Sequence, residues 1–192
     1  MIFACSLPLR AAEKTVLILG DSLSAGYRLP VTEAWPHRLD TLWLGNPRVV
    51  NASISSDTAA QGLARLPALL RQHRPHWVLI ELGANDGLRG FAPAAISADL
   101  QKIIDQVKAA DAIPLLMQIR LPGNYGRRYT DAFYALYPAL AAKNQLTLLP
   151  FFMEKVVLKT EWMQDDGLHP TAEAQPFITD FMAKNLAPIV KQ

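Results

Sequence analysis

The sequence predicts an α/β protein, a three-layer α/β/α sandwich around a central five-stranded parallel sheet. Three observations carry this expectation. Five short apolar runs, at 15–19, 48–52, 77–82, 113–119 and 146–152, alternate with segments of helical periodicity. The runs are near-continuously apolar instead of alternating, as strands buried on both faces require. Alternation of strand and helix calls for right-handed βαβ crossovers, hence a parallel sheet covered by helices on both sides.

The elements follow in chain order. Thr15-Val16-Leu17-Ile18-Leu19 reads as the first strand and runs straight into Gly20-Asp21-Ser22-Leu23-Ser24, which puts Ser22 at the tip of a strand-to-helix turn. Trp35, Leu39, Leu42 and Trp43 recur at i, i+4, i+7 and i+8 and predict a helix before the second strand. Leu63, Leu66, Leu69 and Leu70 predict another, which Pro67 is expected to interrupt or kink. Ile96, Leu100, Ile103, Ile104 and Val107 form one helical face over three turns, the cleanest stripe in the chain. Phe133, Leu136, Tyr137 and Leu140 mark the helix before the fifth strand. Ile178, Phe181, Met182, Leu186 and Ile189 mark a last helix, opened by Pro170-Thr171 with Glu173 near its first turn.

Length and composition bound the function. A chain of 192 residues with 51% hydrophobic and 19% charged content folds as one globular domain, assigned here to 13–192. Residues 1–12 contain no acid, a short apolar stretch and the small pair Ala11-Ala12, and read as the remnant of a secretory signal peptide without its positively charged start. The competing reading is a plain apolar N-terminal arm. A net charge of +2 without a basic run gives no support to nucleic-acid binding. No segment approaches the ~20 apolar residues of a membrane span, so stable membrane insertion is not expected. The single Cys5 has no internal disulfide partner and leaves the redox compartment open. No phosphate loop, dinucleotide fingerprint or zinc motif occurs, and His37, His73 and His76 lack metal-ligand spacing, so no cofactor and no metal are expected. Glu81, inside the third strand, reads as a structural polar contact.

In such a fold ligands bind at the carboxyl ends of the strands. The loops there are polar: Asp21 to Ser24, Asn51 to Thr58, Gly83 to Gly87, Arg120 to Gly126, and, after a longer excursion, Asp165 to Pro170. Taken singly each has a plain reading: Gly-Asp-Ser caps a helix, Asn85-Asp86-Gly87 is a turn, and Asp166-Gly167 is another. Taken together on one rim they supply a serine, a histidine and a carboxylate, the parts of a nucleophilic hydrolase. No Gly-x-Ser-x-Gly elbow is present, because position 24 is serine, which argues against an ordinary α/β-hydrolase.

Gly20-Asp21-Ser22-Leu23, the Gly-x-Asn-Asp of Gly83 to Asp86 and the Asp-x-x-His of Asp166 to His169 resemble the GDSL (SGNH) hydrolases. Further blocks at 51–55, 62–67, 117–122 and 162–167 are similar to the bacterial periplasmic thioesterase and lysophospholipase members of that family, over about residue 15 to the C-terminus. The resemblance implies a flavodoxin-like sandwich and a serine esterase acting on acyl-thioesters, carboxylic esters and lysophospholipids through an acyl-enzyme. It implies Ser22 as nucleophile, His169 as general base and Asp166, not Asp165, as the triad acid. It implies an oxyanion hole built from the backbone N–H groups of Ser22 and Ser56 and the side chain of Asn85. Position 56 departs from the family pattern, which has glycine there. Leu88, Phe91, Leu121 and Pro122 are expected to line an acyl groove. A periplasmic monomer is expected. Alternatives are a carbohydrate deacetylase of the same superfamily and a catalytically weakened acyl-binding protein.

Overall fold

The computed structural model describes residues 14–191; the expected signal remnant at 1–12 and Cys5 lie outside the described residues. The strands are β1 (Thr15–Gly20), β2 (Arg48–Asn51), β3 (Trp77–Glu81), β4 (Ile113–Met117) and β5 (Leu148–Leu149), paired in the order β2-β1-β3-β4-β5. All the pairs are parallel, with Val16 opposite Val49 on one side and Trp77 on the other. The helices are α1 (Ser22–Ala25), α2 (Trp35–Leu42), α3 (Ala59–His73), α4 (Ala84–Leu88), α5 (Pro93–Ala109), α6 (Arg127–Asn144), α7 (Met153–Val156) and α8 (Gln175–Val190).

This strand order fixes the layers. The chain leaves β1 toward β2 and later runs the other way through β3, β4 and β5, so right-handed crossovers place α2 on one face and α3, α5 and α6 on the other. The packing agrees: α3 lies on α5 and α5 on α6, while α2 lies on α8. The reversal falls between β1 and β3, and an open α/β sheet leaves a crevice at such a switch point. The loops after β1 and β3 carry Ser22 and Asn85 to that crevice.

The central strands are sealed on both faces: every residue of β1 and of β3 is buried. The expected stripe of α5 is buried throughout, Leu100, Ile103, Ile104 and Val107 at 0% exposure. Burying each such side chain contributes about 1.5–3 kcal/mol, which outweighs the modest helix propensity of Ile and Val.

The sequence reading needs correction in three places. Pro67 lies inside α3 without interrupting it. The capping box of Thr58 with Gln61 starts that helix, and burial of Gly62, Leu66 and Leu70 continues it past the missing N–H. The apolar run at 146–152 is strand only at Leu148–Leu149, and the chain then turns into α7. Pro170-Thr171 does not open α8, which begins at Gln175. Pro170 is instead bridged to Met163, and the Gln175 side chain accepts from the Trp35 N–H at 2.9 Å, tying α8 to α2.

Candidate active site

The Ser22 turn is built by β1. Fully buried, β1 ends at Gly20, and Asp21 caps the short α1 by accepting from the Leu23 N–H at 3.0 Å. Gly26, at φ 76, ends α1 after one turn. Ser22 is thereby presented as the first residue of α1, beside backbone N–H groups that have no partner within the helix.

His169 arrives from the far end of the chain in a pinned loop. Gln164 donates its backbone N–H to His169 O at 2.8 Å, and Thr171 donates to Trp162 O at 2.8 Å. The Gln164 side chain donates to Tyr27 O at 3.0 Å and Pro170 O at 2.9 Å, fastening this loop to the chain just after α1. Inside it, Asp166 Oδ1 accepts from the backbone N–H groups of Leu168 and His169 at 2.9 and 3.0 Å, and Gly167 takes a positive φ of 65 that permits the tight return.

Three side chains thus meet in line. His169 Nε2 lies 2.8 Å from Ser22 Oγ, and His169 Nδ1 lies 2.7 Å from Asp166 Oδ2. With the carboxylate accepting, Nδ1 carries the proton and Nε2 is free to take one from the serine. Burial alone would raise the Asp166 pKa, but the hydrogen bonds from the His169 ring and from the Leu168 and His169 N–H groups outweigh it and bring it down to about 2. Tyr27 stacks against the imidazole with ring centroids 4.3 Å apart. Asp165 is exposed and stands outside the relay.

Beside Ser22 the loop after β2 turns through Ser56, whose φ is 71, the left-handed region that the family glycine would occupy without strain. Arg89 donates to the Ser56 carbonyl at 3.1 Å and holds the peptide from outside. Asp57 is held by Arg65 at 2.7 Å; the same guanidinium donates to Gly20 O and Ala52 O, so one side chain ties the ends of β1 and β2 to this loop. Asn85 donates from Nδ2 to Asp57 O at 3.0 Å and to Asp21 Oδ2 at 3.3 Å. Asp86, its pKa raised by burial, accepts the Ala59 N–H at 2.9 Å and anchors the start of α3.

The relay opens on a cavity of about 490 Å³, the size of a small-ligand pocket. Ser22, Ser56, Asn85 and His169 lie on its wall, and so do three of the four expected groove residues, Leu88, Leu121 and Pro122. Phe91 is not among them: it is 44% exposed, while its backbone carbonyl accepts from Tyr129 Oη at 2.6 Å. The end of α4 and the turn at 87–90, closed by the Gly90 N–H on Gly87 O at 3.0 Å, bend the chain away between Leu88 and Phe91, so proximity in sequence does not carry over. Met153, Val157 and Leu168 also line the cavity. The sequence reading passed over them, although the apolar Phe151-Phe152-Met153 at a strand's carboxyl end was a usable signal.

Fold, side-chain geometry and relatives agree on the class: the protein is a serine hydrolase. A family model described as the GDSL-like lipase/acylhydrolase family matches residues 18–175, and the chain belongs to that family. It is 64% identical over 180 residues to the thioesterase 1/protease 1/lysophospholipase L1 of Escherichia coli strain K12, covering 94% of this chain and 86% of that protein. It is 52% identical over 189 residues to an arylesterase of Vibrio mimicus, covering 97% and 94%. The crystal structure of the psychrotrophic esterase EstA from a Pseudoalteromonas species, inhibited by monoethylphosphonate, superposes with a TM-score of 0.89 at 40% identity, covering 93% of this chain and 100% of that one.

Proposed function

We propose that the protein cleaves acyl-thioesters, simple carboxylic esters and lysophospholipids through an acyl-enzyme on Ser22. The observation that carries this reading is the Asp166–His169–Ser22 line, at 2.7 and 2.8 Å, opening on a largely apolar cavity. In the first half-reaction Ser22 Oγ attacks the acyl carbonyl as its proton passes to His169 Nε2. Asp166 accepts from Nδ1 and stabilises the imidazolium that forms. The tetrahedral oxyanion is met by the N–H groups of Ser22 and Ser56 and by Asn85 Nδ2. Collapse breaks the bond to the leaving group, thiolate or alkoxide, which takes the proton back from His169. Water then repeats the sequence on the acyl-enzyme, with His169 again as base, and frees the carboxylic acid.

An apolar wall of Leu88, Leu121 and Pro122 suits an aliphatic acyl chain better than a sugar acetate, which favours the esterase over a carbohydrate deacetylase. Three relatives bear esterase or thioesterase names, which supports the same choice. We read the chain as a monomeric domain over 13–192 working in the periplasm. Among the described residues no helix is long and apolar enough to cross a membrane.

A panel of p-nitrophenyl esters, acyl-CoA thioesters and lysophosphatidylcholine, assayed with Ser22→Ala as control, tests the reading. Hydrolysis by the natural chain and none by Ser22→Ala is the expected result; activity persisting in the variant sinks the mechanism. A fluorophosphonate ester should label Ser22 covalently, and absence of label would favour the acyl-binding alternative.

A further inference from the structure

Beneath the Ser22 turn, at the carboxyl end of β3, Glu81 is completely buried, at 0% exposure, and takes no part in the relay above it. Its Oε2 accepts from Ser24 Oγ at 2.7 Å and from the Asp21 N–H at 3.4 Å. These two donors stand on either side of Ser22 along the chain. Gly20 closes the cradle: a Cβ there would lie 2.7 Å from the same Oε2 and 2.8 Å from Ser53 Oγ, so only glycine lets the strand end pass over the carboxyl group. Asp21 extends the contact upward, with Oδ1 on the Leu23 N–H and Oδ2 against Asn85.

We propose that Glu81 is a positioning residue for the nucleophile, gripping the chain on both sides of Ser22 with one carboxyl oxygen and so fixing the angle at which Oγ meets His169. The inference rests on the reading of Ser22 as nucleophile.

The chemistry of the cradle favours a neutral acid in this role. Oε1 is buried and has no hydrogen-bond partner, and a second carboxyl group, Asp21, sits beside it at 1% exposure. An ionised carboxylate with a bare oxygen in such a place is costly. Burial first, and the neighbouring Asp21 charge second, push the Glu81 pKa well above the ordinary carboxylate value. The neutral form removes the charge that burial penalises, while Oε2 still acts as a carbonyl toward two donors. It also keeps a second negative charge away from the turn where the oxyanion develops, which an ionised Glu81 would oppose. An apolar residue of the same size would fill the space and supply neither contact.

The test compares Glu81→Gln, Glu81→Met, Ser24→Ala and Ser22→Ala on p-nitrophenyl butyrate, with the rate of fluorophosphonate labelling measured in parallel. Glu81→Gln is neutral and keeps an acceptor oxygen for Ser24 Oγ and the Asp21 N–H, so kcat should stay within about threefold of the natural chain. Glu81→Met removes the acceptor at similar volume, so kcat and the labelling rate should fall together about 10- to 100-fold with KM nearly unchanged. Ser24→Ala removes one arm only and remains informative if Glu81→Met does not fold; its kcat should fall about three- to tenfold. Ser22→Ala should neither turn over nor label, and if it does, the nucleophile reading itself has failed. With that control intact, the positioning role is overturned by Glu81→Met at natural kcat. It is equally overturned by Glu81→Gln as impaired as Glu81→Met, or by Ser24→Ala indistinguishable from the natural chain.

Discussion

Asn85 and Asp21 meet through a 3.3 Å contact between Nδ2 and Oδ2, while the same Nδ2 donates to Asp57 O at 3.0 Å. An amide nitrogen has two protons, so one is committed to a fixed backbone carbonyl and the other lies in a long contact. An oxyanion on the Ser22 side competes with Asp21 for that second proton. Burial raises the Asp21 pKa to about 7, which makes Asp21 the weaker acceptor whenever it is protonated. In the proposed mechanism Asp21 holds the amide beside Ser22 and yields it when charge develops. Asn85→Ala should lower kcat by about 10²–10³ with little change in KM, the loss seen when one oxyanion donor is removed. A loss below about threefold in steady-state kinetics would show that the backbone donors suffice.

Ser56 holds φ at 71, a conformation that costs an L-residue about 1–2 kcal/mol and glycine almost nothing. Ser56→Gly relieves that strain but also loosens the unfolded chain, so the two effects on global stability partly cancel. Activity is the cleaner readout, because the proposed mechanism sets the Ser56 N–H against the oxyanion. Ester hydrolysis should rise about two- to fivefold in the variant, a fraction of the strain expressed in the transition state. Equal rates would show that the departure from glycine is silent.

Much of this was legible before the structure, for identifiable reasons. The buried strands β1 and β3 announce themselves as unbroken apolar runs, and the stripe of α5 holds helical spacing over its whole length. Ser22, Asn85, Asp166 and His169 were singled out by their motifs and by the expectation that the loops after the strands share one rim, and the structure brings Ser22, Asn85 and His169 to one cavity. What local pattern does not encode is which non-adjacent side chains share a wall. Phe91 lies three residues beyond Leu88 yet falls outside the cavity, whereas Met153 enters it from α7 and Val157 from the end of that helix, which follows the apolar run at 146–152. Tyr27 against His169 and Glu81 against Ser24 join residues 142 and 57 positions apart, contacts that only the assembled fold produces.

Asp166 links the proposed relay to acid stability. Its pKa falls from 3.8 in the unfolded chain to about 2 in the folded one, so folding favours the ionised form. The sign follows: its contribution is complete above 3.8 and is lost as pH drops through about 2. Thermal melts of the natural chain should show this component between those values, and Asp166→Asn should lack it. The same variant at neutral pH should lose about 10⁴ in kcat, because an amide facing Nδ1 favours the wrong tautomer. Retention of more than about a tenth of the activity would remove Asp166 from the relay.

The buried pair below the nucleophile works in the opposite direction. Asp21 rises from 3.8 to about 7, and Glu81 rises well above 4.5, both chiefly through burial. A folded state that keeps protons the unfolded chain has released is weakened as pH climbs, so stability falls from about pH 4 upward through neutrality. Glu81→Gln removes one of the two groups. Its melting temperature should therefore decline less steeply than that of the natural chain between pH 5 and 9, about the window in which buried acids ionise. Parallel declines would show that Glu81 does not change its protonation on unfolding.

Leu121 offers a direct probe of the cavity wall. It is 6% exposed, and its Cδ atoms press on Gly87, where an added Cβ would come within 2.7 Å, so its position is set by packing on both sides. Leu121→Ala strips apolar contact from a chain lying along that wall and leaves the serine, histidine and oxyanion donors untouched. A short acetyl group does not reach the missing surface, whereas an octanoyl chain does. The kcat/KM for p-nitrophenyl octanoate should therefore fall about tenfold relative to the acetate, the usual worth of one or two methylene contacts in an apolar pocket. Phe91→Ala, outside the cavity, should leave the ratio alone. If Leu121→Ala keeps the natural chain-length profile, the acyl group does not lie against this wall; if Phe91→Ala shifts it instead, the groove runs over the α4–α5 connection.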